Sequence, residues 1–190
     1  MIGETINAPY AEKFTVSNVF SSDMVVQRGE HIRVWGFADA SENGRKVSGE
    51  FMGMFAEALI ENGAWTLTFG ARLNACAEQG NSMRIYTDRT AFVFENVLVG
   101  DVFMVIGQSN VAYSMAAHRT AVPEAERGGV GYDVPSTPIR LHYNSLMQET
   151  GVTRGTEEVC AELRNRETWK RADAAAVQDF SALGYLFAAE

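Results

Sequence analysis

Positive charge is scarce in this 190-residue chain: 16 Lys and Arg stand against 24 Asp and Glu, a formal net charge of −8. Nucleic acid and anionic membrane surfaces, which bind through clustered cations, are thereby excluded as main partners. Cysteine is nearly absent. Cys76 and Cys160 lie far apart with no Cys-x-x-Cys spacing, so neither a zinc site nor a redox pair is signalled. A disulfide between them stays open, with two separate thiols as the expectation. No apolar run is long enough to span a bilayer. The opening Met1–Tyr10 has no basic start and no apolar core, so no signal peptide is legible. Localisation is left open between a cytoplasmic protein and a start that is not the natural one. Histidine occurs three times, at His31, His118 and His142.

What is present is a core. Hydrophobic residues make up 46% of the chain, enough for one ordinary domain, or for a small domain plus part of another. Residues up to about Lys13 read as an irregular lead-in. From Phe14 the pattern is one of short strands and turns. Met24–Gln27 is one strand candidate. His31–Phe37 alternates, placing Ile32, Val34 and Gly36 on one face. Asp39–Lys46 is polar and holds Gly44, a loop. Val47–Ile60 holds one or two strands, with Gly53 near a turn or bulge. Asn62-Gly63 predicts a tight turn, and Trp65, Leu67 and Phe69 then share a side. Met83–Thr87 and Ala91–Phe94 flank Asp88-Arg89-Thr90 as a hairpin. Nothing is helical before residue 100. Many short strands predict a β-sandwich.

The texture changes at Val102-Phe103-Met104-Val105-Ile106, a run that predicts a strand buried on both faces. Gly107-Gln108-Ser109-Asn110 follows, then Val111–Ala117, which suits a helix capped by Ser109 or Asn110. A strand running through glycine and serine into a helix presents a nucleophile well. It stands at the carboxyl end of a buried strand, beside helix N–H groups that favour developing negative charge. It is not the Gly-x-Ser-x-Gly elbow, because Val111 takes the last position. His118–Pro138 reads as a long loop, Ile139–Tyr143 as a second strand of an α/β sheet and Glu157–Ala161 as an edge strand. Trp169 falls in a charged connector. Asp179–Glu190 reads as a helix with Asp179 as N-cap and a core-facing stripe of Phe180, Leu183 and Phe187.

The string Asn96–Asn110 resembles the nucleophile block of the sialate O-acetylesterase family, members of the SGNH hydrolases. Val19–Arg28 followed by Val34–Asp39 is similar to the opening of the jelly-roll-like module that precedes their catalytic domain. The family's Asp-Gly-Met-Val-Leu-Gln-Arg stands here as Ser22-Asp23-Met24-Val25-Val26-Gln27-Arg28, without the glycine. Phe180–Phe187 resembles the family's Phe-Ser-Ala-Val-Gly-Tyr-Phe-Phe. The resemblance implies a mixed β and α/β fold: a jelly-roll-like β-sandwich over 1–99, then over 100–190 the start of an SGNH, flavodoxin-like α/β catalytic domain that is truncated. It implies a serine carboxylic-ester hydrolase acting on O-acetylated sialic acid or other acetylated glycans, with Ser109 as nucleophile. The backbone of Ser109 would give one oxyanion donor, while Gly107, Gln108 and Asn110 shape the turn. No metal or organic cofactor is needed.

Serine ester hydrolysis also needs a base. In the family that base is a histidine in a late Asp-x-x-His, and a later glycine and asparagine complete the oxyanion hole. None of the three histidines here has Asp three positions before it. His31 is expected at a surface, His142 on a strand, and His118 at a helix end too far from Ser109. Gly155 and Gly184 lack the context of the oxyanion glycine. The chain is therefore expected to be the N-terminal part of a larger protein, inactive alone. Two alternatives remain. One is an acetylxylan-esterase-like enzyme, since those share Gly-Gln-Ser-Asn. The other is a carbohydrate-binding or structural β-sandwich module with an inert α/β part, for which Trp35, Trp65 and Tyr86 are the candidate aromatics.

Overall fold

The computed structural model describes residues 5–6, 13–127, 138–143 and 168–190. The fold is mixed and mostly β. The described residues divide into two compact units: residues up to Val102 with 168–169, and 103–143 with 170–190.

The first unit holds nine strands. They are β1 (Thr5–Ile6), β2 (Phe14–Val16), β3 (Val25–Gln27), β4 (His31–Ala38), β5 (Lys46–Phe51), β6 (Met54–Leu59), β7 (Ala64–Arg72), β8 (Cys76–Tyr86) and β9 (Ala91–Gly100). One sheet runs β1-β9-β8-β5-β6, with β3 also on β9; the other runs β2-β4-β7. Alternation decides which residues face inward. Ile32, Val34, Trp65, Leu67 and Phe69 from the second sheet meet Val47, Phe51, Met83, Ile85, Phe92 and Phe94 from the first in one core. Phe14 ties the sheets together: its ring stacks on Trp65 at 5.2 Å and lies 5.6 Å from Phe92.

The turns follow the sequence. Asn62 and Gly63 both take positive φ, as do Met52 and Gly53, which close the β5–β6 hairpin. Ile85 pairs with Phe92 across the expected hairpin. Two arrangements lie outside the alternation pattern. Thr5–Ile6, expected to be irregular, pairs with β9 in parallel, and so does β3, Val25 opposite Leu98. A parallel partner is set by long-range sheet geometry rather than by a local turn.

Three contacts close this unit. Glu42 is buried at a 3-10 turn, Ala40–Glu42. It accepts from Arg45 Nε at 2.6 Å and Arg89 at 3.2 Å, and Arg45 Nη1 also bonds both oxygens of Asp88 at 2.6 and 2.7 Å. Asp23, at φ +63°, accepts from the Asn96 side chain and donates its backbone N–H to Glu95 O. Trp169, expected in a connector, is seated here: its indole N–H donates to Val19 O at 2.7 Å and its backbone N–H to Ser21 Oγ at 2.9 Å.

The second unit is small. It holds α1 (Ser109–Ala112), α2 (Met115–Ala121), a 3-10 turn at Glu124–Glu126, β10 (Arg140–Leu141), β11 (Lys170–Arg171), α3 (Ala174–Asp179) and α4 (Ala182–Ala189). Met115, Leu141, Ala172, Val177, Ala182 and Tyr185 form its core. Ser114 and Ser181 face each other in a β-bridge, braced by Met115 N–H to Phe180 O and Ala182 N–H to Tyr113 O. Each of these serines also caps the helix it precedes, accepting from Ala117 N–H and Gly184 N–H respectively.

Four expectations are corrected in this unit. Val102–Ile106 is not a paired strand among the described residues; it has no regular secondary structure and is exposed. Five apolar residues in a row encode burial on both faces, and no described strand lies beside them to supply it. The helix expected over Val111–Ala117 is broken at Tyr113-Ser114, because the Ser114 side chain starts a new helix there. Neither Ser109 nor Asn110 caps. Of Ile139–Tyr143 only Arg140–Leu141 pairs, and antiparallel, with β11. Asp179 ends α3, which Asp173 caps, while Ser181 caps α4. The buried face of α4 is Ala182, Gly184 and Tyr185, so Leu183 and Phe187 point outward. Glu157–Ala161 lies outside the described residues.

Candidate active site

Ser109 is the first residue of α1, directly after the apolar run and the turn Gly107-Gln108. Backbone geometry fixes that turn: Val111 and Ala112 N–H both donate to Gln108 O, at 3.1 and 2.9 Å. The N–H groups of Ser109 and Asn110 have no acceptor among the described residues and stay open, as first-turn amides do. Gly107 is required by packing: a Cβ there would stand 2.5 Å from Val111 Cγ2. Gly107, Gln108, Ser109 and Asn110 are all exposed. No described side chain hydrogen-bonds Ser109 Oγ. The hydroxyl is thus accessible but not activated, since a serine attacks well only beside a base.

None of the three histidines is hydrogen-bonded to Ser109 Oγ among the described residues. His31 is exposed on β4 in the other unit, its Nδ1 3.3 Å from Phe69 O. His118 lies in the last turn of α2, its ring edge-on to Tyr113 at 6.1 Å. His142 is half-buried just past β10. No described cluster of His, Cys, Asp or Glu is placed to hold a metal ion.

Where the apolar run begins, Asp101 bonds Arg28 at 2.8 Å. That hydrogen bond from the guanidinium holds the Asp101 carboxyl below its ordinary range. Val102 N–H donates to Gln27 Oε1 at 2.8 Å. These contacts fasten the residues ahead of the site to the Gln27-Arg28 end of β3.

Of the three aromatics expected to bear on glycan binding, Trp65 is core. Tyr86 is engaged: its hydroxyl donates to Glu50 at 2.8 Å, which raises its pKa, and the Arg84 guanidinium lies over the ring at 4.4 Å. Trp35 is 40% exposed, meets Phe20 edge-on, and shares the outer face of β4 with exposed Phe37. Phe37 is the residue that sequence reasoning missed. The alternation that placed Ile32, Val34 and Gly36 inward already required Phe37 to face out.

Comparison with solved structures gives a likeness in fold. The crystal structure of a carbohydrate acetylesterase from Xanthomonas citri matches 92% of this chain with a TM-score of 0.61 and 24% identity. This chain spans 36% of that protein's length. The likeness establishes a shared fold. No family model matches the chain, and no curated protein matches it.

Proposed function

We propose that the chain carries the leading part of a serine carbohydrate O-acetylesterase: a jelly-roll-like sandwich over 1–99, and over 100–190 the opening of an SGNH α/β catalytic domain. Ser109 is its nucleophile. The observation that carries this reading is the Gly107–Asn110 turn, which leaves Ser109 exposed at a helix start directly after an apolar segment. The fold shared with an acetylesterase supports the reaction class, and the Gly-Gln-Ser-Asn string supports the residue.

In this mechanism Ser109 Oγ attacks the acetyl carbonyl carbon and its proton passes to a histidine base. The tetrahedral oxyanion is held by the Ser109 backbone N–H with further donors. Collapse expels the sugar alkoxide, which takes the proton back, and water then releases acetate from the acetyl-serine. The base and the remaining donors come from polypeptide that this chain does not include. O-acetylated sialic acid is the first substrate to try and acetylated xylan the second.

Fluorophosphonate labelling followed by intact-mass measurement tests the reading on an enzyme extended through a complete catalytic domain. One phosphonyl adduct at Ser109 is expected, and Ser109→Ala should abolish it and lower deacetylation by about six orders of magnitude. A label elsewhere, or an active Ser109→Ala enzyme, overturns it.

A second reading, a glycan-binding sheet face, has the exposure of Trp35 and Phe37 behind it. Trp35→Ala in the whole chain should then weaken retardation in an acetylated-xylan gel. Unchanged migration removes this reading.

A further inference from the structure

Charge is unevenly spread over the two sheets of the first unit. The chain carries 24 Asp and Glu against 16 Lys and Arg. Yet the three strands of the smaller sheet, β2, β4 and β7, hold no acidic residue. Their charged residues are Arg33 on β4 and Arg72 at the end of β7, both exposed. Arg28, Arg45 and Arg89, elsewhere in the unit, are each held by a carboxylate. Arg33 and Arg72 make no ion pair among the described residues. Glu30, Asp39 and Glu61 lie beyond the ends of these strands. In a chain of net charge −8, a face cleared of acids around two unengaged guanidinium groups favours an anion from outside.

The same face is aromatic. Alternation along β4 turns Arg33, Trp35 and Phe37 outward in one row, with Trp35 40% and Phe37 48% exposed. Phe20 braces the Trp35 ring edge-on at 4.6 Å. On β7, Thr68 stands opposite Arg33 and Thr66 opposite Trp35, both exposed, and Arg72 stands opposite His31 beyond a bulge. The row from His31 to Phe37 is about 20 Å long. Each part suits a different part of one ligand. An aromatic face takes the C–H face of a sugar ring, threonine hydroxyls meet sugar hydroxyls, and a guanidinium grips a carboxylate with paired hydrogen bonds. The length of the row suits a chain of sugars rather than a single terminal one. Two arginines on a chain this acidic are too few for a polyphosphate, whose binding scales with the number of phosphates neutralised.

We infer that the outer face of β4 and β7 binds an acidic polysaccharide, Trp35 and Phe37 stacking on its sugar rings and Arg33 and Arg72 taking its uronate carboxylates. The inference rests on the second reading above, a glycan-binding sheet face, and adds the charge of the glycan and the residues that read it.

Titration calorimetry of the 190-residue chain with two polymers of one backbone tests it: glucuronoxylan, and the same glucuronoxylan with its carboxyl groups reduced to alcohols. The chain should bind the acidic polymer at least about tenfold more tightly. Raising the salt from about 0.05 to about 0.5 M should remove most of that difference. Arg33→Gln with Arg72→Gln should bring the acidic polymer down to the affinity of the reduced one and leave the reduced one unchanged. Trp35→Ala should weaken both. Should the glutamine pair fail to fold, Arg33→Lys with Arg72→Lys carries the test: it keeps the charge, loses the forked geometry, and should weaken the acidic polymer alone. Equal affinity for the two polymers, or arginine variants that bind the acidic one as tightly as the parent, overturns the inference and leaves a neutral glycan-binding face standing. Binding of neither polymer removes both. Tighter binding of single-stranded oligothymidylate than of glucuronoxylan overturns it in favour of nucleic acid. A dimer in sedimentation that the arginine variants dissociate overturns it in favour of a second copy.

Discussion

Single residues carry much of what is specific here, and Gly36 shows how. It sits on the inward face of β4 opposite Trp65, where a Cβ would run into the Thr15 carbonyl oxygen and stand 2.5 Å from Trp65 Cζ2. Gly36→Ala should cost about 1–3 kcal/mol, the usual toll of overpacking, read as a lower urea midpoint at unchanged slope. Glu42 is the opposite case, a buried carboxylate held by Arg45 and Arg89. Glu42→Gln removes the charge but not the volume, and should cost about 1.5–3 kcal/mol, the range for hydrogen bonds to charged groups. Asp88 sits outermost in that cluster, and its hydrogen bond from Arg45 depresses its pKa. A depressed carboxyl stabilises the fold above its unfolded pKa and loses that contribution as pH falls through its lower, folded value. Asp88→Asn should therefore narrow the gap between urea midpoints at pH 7 and at about pH 2, with little effect near pH 2. Asp88 is well exposed, so the change is small. Asp23 stands at φ +63°, where the resembling family carries glycine. Asp tolerates the left-handed region, and its bond from Asn96 compensates, which is why the departure leaves the turn intact.

At the scale of elements, the sequence was readable where alternation or turn chemistry is local. The alternation in β4 and β7 placed Ile32, Val34, Trp65, Leu67 and Phe69 inward, and Asn62-Gly63 and Asp88–Thr90 located turns, because period-two burial and turn chemistry are local. The parallel pairing of β1 and β3 with β9 was not legible, since nothing local encodes it. Nor was the break at Tyr113-Ser114: an apolar run of helical residues hides a serine that bonds Ala117 N–H more favourably than the continuous helix accommodates it. That gives a test. Ser114→Ala should cost about 1 kcal/mol, the usual worth of an N-cap, and loosen the second unit before the first in hydrogen exchange. Phe180, Leu183 and Phe187 read as a core stripe, and the structure turns Leu183 and Phe187 outward because Tyr185 and Ala182 take the inside. Both readings follow from one helix with apolar residues on two sides, of which only one is covered here.

Across the whole molecule, what was legible of the candidate site was an exposed serine in a turn at a helix start and not a catalytic centre, for a physical reason rather than a statistical one. Gly107–Asn110 is a local turn, fully specified by four residues and a packing constraint at Val111. A base is a distant residue, brought in only by tertiary structure, and none of the three histidines is hydrogen-bonded to Ser109 Oγ. A serine hydroxyl without that partner keeps the reactivity of an ordinary alcohol, whatever the open N–H groups beside it can offer an oxyanion. The 190-residue chain should therefore hydrolyse p-nitrophenyl acetate no faster than its own Ser109→Ala variant, within about twofold, at neutral pH. The comparison with the variant matters more than the rate itself, because exposed lysines and histidines turn over activated esters slowly in any protein. A rate that Ser109→Ala removes would mean that the base is already within these residues, and His118, in the same unit and on the next helix, would be the first to substitute.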